Sequence, residues 1–207
     1  MSIYETNALC SFELLDEGFY LCLDDLSNKI SKISSIFGYK SFPDELKLKI
    51  HECTTNEFYN KFDLFSKNYS KYIISFTCNA NQIFILNYKS IRHIYSFSEY
   101  TRFIIHECIH VFQLYYSMIP PSKCIWLYEA VACYLAKQKK IFKPNKYINW
   151  NEFVNKFYHI ENCYALAYNY GYLTFNFFGS DILDVIKKPF DYTHKLKNIY
   201  DNYMIIM

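Results

Sequence analysis

Two imidazoles and a carboxylate fall within one short run, His106-Glu107-Cys108-Ile109-His110. On an α-helix of about 3.6 residues per turn the two histidines share a face, so both rings can reach a single ion. Glu107 is rotated by about 100° from His106. It is therefore a poor ligand for the same ion, but it can flank the metal and hold a water. This H-E-x-x-H pattern meets the geometric needs of metal-assisted hydrolysis. The competing reading is a pair of core histidines satisfied by hydrogen bonds. Against it stand the apolar neighbours Ile104, Ile105 and Ile109, among which two imidazoles and a carboxylate are costly to bury without a partner.

A catalytic zinc site takes three protein ligands and keeps one position open, so two histidines require a third donor. Glu129 lies 19 residues after His110, in Trp126-Leu127-Tyr128-Glu129-Ala130-Val131-Ala132-Cys133-Tyr134. The intervening Pro120-Pro121 turn would set the two helices as antiparallel neighbours. The apolar flanks would bury Glu129, and a buried carboxylate needs a metal or a cation; the plainer reading is a partly exposed helical glutamate. His51-Glu52-Cys53 repeats the first letters of the motif, but Thr55 stands where the second histidine belongs, which reads as a solvent-facing coincidence on a strand. His93, His159 and His194 stand alone and read as surface or core histidines.

Together, His106-Glu107-x-x-His110-Val111-x-Gln113 and Trp126-Leu127-x-Glu129-Ala130-x-Ala132-x-Tyr134 resemble the gluzincin metallopeptidases. The similarity is to the branch shared by aminopeptidase-N-like enzymes and small bacterial peptidase MA-like domains, whose second motif usually has Gly where Ala130 stands. It covers roughly residues 46–188 and is closest over 103–134. The resemblance implies a zincin-like fold, with Zn2+ bound by His106, His110 and Glu129. Glu107 would be the general base, taking a proton from the metal-activated water and passing it to the leaving amine. The strand before the active-site helix, about 82–88, would be the edge that pairs with extended peptide substrate.

The resemblance also implies a tyrosine that stabilises the oxyanion, and two positions compete for it. Tyr164-Ala165-Leu166-Ala167 keeps the usual distance to Gly179, while Tyr168-Asn169-Tyr170-Gly171 keeps the usual glycine. Tyr164 is slightly favoured, although either can equally be a packed aromatic in a chain with 22 tyrosines. Neither position shows the basic residue often found in the aminopeptidase version, so that activity is not implied. The leading expectation is zinc-dependent hydrolysis of peptide bonds in a peptide or protein substrate. One alternative is a degenerate zincin serving as a metal-stabilised binding or interaction module; the intact Glu107 argues against it, because a structural site has no use for a base. Another is a cytosolic regulatory protease resembling those that cleave phage repressors, which the Trp126-Leu127-x-Glu129 context fits less well.

The elements that must position these residues read as an α+β chain with a small, mostly antiparallel sheet followed by a helical half. At 207 residues it is read as one domain, residues 1–95 holding an N-terminal helix and the sheet and 96–207 the helices with the metal site. Apolar spacing predicts a helix over 12–37 ending near Gly38, a strand over 46–50, and a helix from Thr54 or Thr55 to about Phe65. Strands over 72–77 and 82–88 flank a turn. Ser96 with Glu99 forms a capping box for the motif helix through Tyr116, and Pro120-Pro121 ends it. Ser122 caps a helix over 123–140, closed by the basic cluster from Lys137, and shorter helices follow at 150–158, 163–178 and 182–188.

Composition narrows the partners. Apolar residues at 52% against 20% charged exclude a disordered chain. A net charge of +2, scattered along the sequence, leaves no basic footprint for nucleic acid or anionic lipid. The uncharged segment 162–180 is long enough to span a bilayer, but Asn155, Asn162, Asn169 and Asn176 draw a polar stripe along it, which favours a buried soluble helix. No secretory signal is visible, and eight cysteines without a C-x-x-C pair read as buried thiols, so the expected location is cytoplasmic.

Overall fold

The structure, a computed structural model, describes residues 2–6, 10–14, 23–39, 48–63, 73–78, 81–116, 124–139 and 147–206. The described residues are α+β, with a mixed sheet and a predominance of helix. They group into two compact units, Met1–Phe112 and Gln113–Met207.

The first unit holds the sheet. Its strands are β1 (Ser2–Thr6), β2 (Cys10–Leu14), β3 (Leu48–Cys53), β4 (Ser75–Cys78) and β5 (Gln82–Leu86), in the order β1-β2-β3-β5-β4. The β1–β2 and β4–β5 pairs are antiparallel, whereas β2–β3 and β3–β5 are parallel. The sheet is thus mixed rather than mostly antiparallel. Between β3 and β5 the chain crosses over through α2 (Thr55–Asp63) and runs out to β4 before returning, which brings β5 back parallel to β3. As an interior strand β5 buries Ile83, Phe84, Ile85 and Leu86, apolar on both faces. The edge expected over 82–88 is therefore not there; β4 is the outer strand on that side.

Local signals hold where no long-range pairing competes. Thr54 caps α2 reciprocally: its backbone N–H donates to Glu57 Oε2 at 2.9 Å, and its hydroxyl oxygen accepts from Glu57 N at 3.4 Å. Buried Phe58 and Phe62 then meet Phe76 of β4 edge-on, with centroids 5.3 and 5.1 Å apart. Helix α1 spans Leu23–Ile36 and buries Leu26, Ile30 and Ile33. It ends at Gly38, which takes φ +83, a conformation glycine adopts freely, with Tyr39 N bonded back to Ser34 O at 3.0 Å. The expected start near Phe12 is wrong, because Cys10–Leu14 is a strand with a hydrogen-bonded partner on each side. Two ladders outweigh a local three-to-four spacing.

After β5 come α3 (Tyr88–Ile91) and α4 (Phe97–Tyr116), the latter opened by the Ser96–Glu99 box, with Ser96 Oγ donating to Glu99 Oε2 at 2.7 Å. The His51-Glu52-Cys53 segment is not solvent-facing. Glu52 is 5% exposed and accepts from Tyr88 N at 3.1 Å and Tyr100 Oη at 3.0 Å, while His51 stacks on Phe84. That carboxylate ties β3 to α3 and α4.

The second unit is helical: α5 (Ile125–Leu135), α6 (Trp150–Asn155), α7 (Cys163–Phe178), α8 (Ile182–Lys187) and α9 (Thr193–Ile206), with a 3-10 turn at Phe157–His159. Helix α5 is buried from Trp126 to Cys133. Around it Trp126, Trp150, Phe153, Tyr170 and Tyr200 form a continuous aromatic core. Helix α5 stops earlier than expected, capped by Ala136, and Lys137 turns to φ 56 just beyond it. Pro120-Pro121 and Ser122 lie outside the described residues. Helix α7 matches its expected bounds, whereas α9 has no counterpart among the expected helices. Among the described residues no helix is long and apolar enough to cross a membrane.

Candidate metal centre

Helix α4 carries the first two donors. His106 and His110 lie one turn apart with rings nearly perpendicular, and their Nε2 atoms are 2.9 Å from each other. Two nitrogens each about 2.0 Å from one tetrahedral ion lie about 3.3 Å apart. The two nitrogens are thus at hydrogen-bond distance from each other and close to the separation that one shared ion requires.

Glu107, next in sequence to His106, is bonded to strand β4. Ser75 Oγ donates to its Oε1 at 2.8 Å; Thr77 Oγ1 stands 2.8 Å from its Oε2 and 3.1 Å from its backbone oxygen. Ser75 and Thr77 are two apart on β4 and so share a face. The carboxylate is 5% exposed and held at both oxygens. Since an ionised carboxylate accepts about four hydrogen bonds, capacity remains for a water.

In the second unit, Glu129 sits midway along α5 and is 4% exposed. Tyr158 Oη donates to its Oε1 at 2.6 Å, within the range of a charge-assisted O–H···O⁻ bond. One residue earlier, the Tyr128 carbonyl accepts from Nε2 of fully buried Gln113 at 3.0 Å, which gives the glutamine of the first motif a task beside Glu129. Helix α7 comes very close to α5. A Cβ added at Gly171 would lie 2.2 Å from the Ala130 carbonyl oxygen, so only glycine fits there. Cys163 also borders this region. Burial, reinforced by the Glu129 carboxylate, pushes its thiol up to about 12, so it stays protonated.

His106, His110 and Glu129 form one group: their ligand atoms all lie within 4.8 Å of one another, and the group could hold a metal ion. Two imidazole nitrogens and a carboxylate oxygen are the donor set of catalytic zinc in His2Glu sites. The two expected tyrosines both lie on α7. Tyr164 opens α7, 41% exposed, with its ring 6.3 Å from those of Phe157 and Tyr158; half-buried Tyr168 faces Tyr134 at 6.2 Å. The phenol on Glu129 belongs to Tyr158, which nothing in the sequence separates from the other tyrosines. Ser75 and Thr77 had a signal, two hydroxyls on one face of an otherwise apolar strand. No family model matches this chain, and no curated protein or solved structure matches it.

Proposed function

We propose that the chain is a zinc-dependent hydrolase of peptide bonds of the gluzincin type, with a zincin-like fold. The observation that carries this reading is the grouping of His106, His110 and Glu129, three donors of the right chemistry within 4.8 Å of one another. Its chemical complement is Glu107, an acidic side chain next to a ligand and held at both oxygens.

Zinc bound by these three residues would lower the pKa of a water to about 7 and polarise a substrate carbonyl. Glu107 receives the proton of the attacking water on its carboxylate and delivers it to the amine nitrogen of the breaking bond. Ser75 and Thr77 keep that carboxylate from swinging during the transfer. Tyr164 and Tyr168 remain the candidates for the oxyanion, and the substrate is a peptide or protein in the cytoplasm.

The test is hydrolysis of a library of unfolded peptides by purified protein. Chelator-sensitive cleavage that Glu107→Gln abolishes while metal is retained supports the peptidase. Stoichiometric zinc with no cleavage across the library would point to the binding-module reading instead.

A further inference from the structure

We infer that Tyr158 is a positioning residue of the metal centre, its phenol fixing the direction in which the Glu129 carboxylate faces the ion. The inference rests on the reading of Glu129 as a ligand. A glutamate has a freely turning terminal torsion, so a carboxylate midway along a helix can present either oxygen, or both, to an ion. A hydrogen-bond donor on one oxygen removes that freedom, and outer-shell partners of this kind set the orientation and basicity of metal ligands. Tyr158 Oη supplies the donor at 2.6 Å from Oε1, within the range of a charge-assisted bond.

The turn that presents Tyr158 is itself anchored. Phe157 is buried and packs edge-on against Phe153 at 5.8 Å, and the turn closes with Ile160 N on Phe157 O at 3.1 Å. The Tyr158 ring rests against those of Phe157 and Tyr164, at 5.3 and 6.3 Å. The residue is nonetheless 55% exposed. Its ring therefore contributes little to the core, while its hydroxyl reaches in to bond a carboxylate that is almost wholly buried. Packing alone does not require that geometry. Phenylalanine would keep the ring contacts and remove only the donor.

The experiment compares zinc affinity of the full chain, measured by competition with a chromophoric chelator, for wild type, Tyr158→Phe and Tyr172→Phe. Tyr172 is a similarly exposed tyrosine on α7 and serves as the control. Tyr158→Phe is expected to weaken zinc binding by about 10–100-fold, with the melting temperature of the metal-free protein unchanged and Tyr172→Phe like wild type. Cobalt-substituted protein gives a second readout: its visible bands shift in Tyr158→Phe and not in Tyr172→Phe. Wild type that binds one zinc, with Tyr158→Phe within twofold of it and the same cobalt spectrum, overturns the inference and leaves the metal site intact. Wild type that binds no zinc overturns both.

Discussion

Ser75 Oγ stands 2.8 Å from Glu107 Oε1, and this contact joins the outer strand of the sheet to the residue that follows the first histidine of the motif. With Thr77 on the second oxygen it makes a two-point clamp. A base that must meet a water and then an amine gains from being held in one orientation. A hydrogen bond to a charged group contributes about 1.5–3 kcal/mol. Ser75→Ala and Thr77→Val should each lower kcat for peptide cleavage by about tenfold or more. KM and zinc content should stay near wild type, because both hydroxyls act on the base rather than on a ligand. Steady-state kinetics with metal analysis checks this; loss of zinc in either variant would contradict it.

Glu107→Gln separates the roles within the motif. The amide keeps the side-chain length and removes the proton acceptor. Activity should fall at least about a hundredfold, the usual contribution of general-base catalysis being about 10²–10⁴. Zinc stoichiometry should be retained. Elemental analysis beside a peptide-cleavage assay reads both quantities from one preparation.

Gly171→Ala tests how α7 holds α5. The new Cβ would sit 2.2 Å from the Ala130 carbonyl oxygen, a clash with backbone that no rotamer relieves. Overpacking of this kind destabilises by about 1–3 kcal/mol, which for a chain of this size lowers the melting temperature by roughly 2–12 °C. Since Ala130 adjoins Glu129, zinc affinity should fall as well. Thermal unfolding and chelator competition measure the two effects.

The helical unit should be sensitive to alkali. Tyr170 donates its phenol proton to the Leu196 carbonyl and Tyr200 to that of Ile148, each at 2.9 Å. Burial raises both phenols above their ordinary 10.0 and pushes the Cys124 thiol from 9.0 up to about 12. For acids raised in this way the unfolded chain loses its protons first, so it binds fewer protons than the native state as pH climbs. Stability should be flat up to about pH 9 and then decline, from 9.0 to about 12 through Cys124 and onward from 10.0 through the phenols. Denaturant unfolding between pH 8 and pH 11.5 follows the trend, and Tyr200→Phe should flatten its upper part.

Much of this was legible in the residues, for physical reasons that differ along the chain. The Ser96–Glu99 box is local chemistry and reads directly from sequence, as do a threonine cap at Thr54 or Thr55 and the apolar run of α7; the structure selects Thr54. What failed was long-range. The strand at Cys10–Leu14 exists because β1 and β3 flank it, and the interior place of β5 depends on a parallel ladder to β3. Likewise, Glu52 reads as a surface residue until Tyr100 and Tyr88 are seen to reach it. For the candidate site, the spacing of His106 and His110 and the flanks of Glu129 were sufficient to nominate the donors. Their supports were less legible: Ser75 and Thr77 show as two hydroxyls on one strand face, but that they reach Glu107, and that Tyr158 reaches Glu129, follows from tertiary structure alone.

His106, His110 and Glu129 are proposed to hold one catalytic zinc, and the most direct measurement is metal stoichiometry after zinc loading and exhaustive dialysis. The expected result is one zinc per wild-type chain, sharply reduced retention in His110→Ala and Glu129→Ala, and full retention in Glu107→Gln. A wild-type chain that emerges without stoichiometric metal, or a Glu129→Ala variant that holds zinc as tightly as wild type, would contradict it.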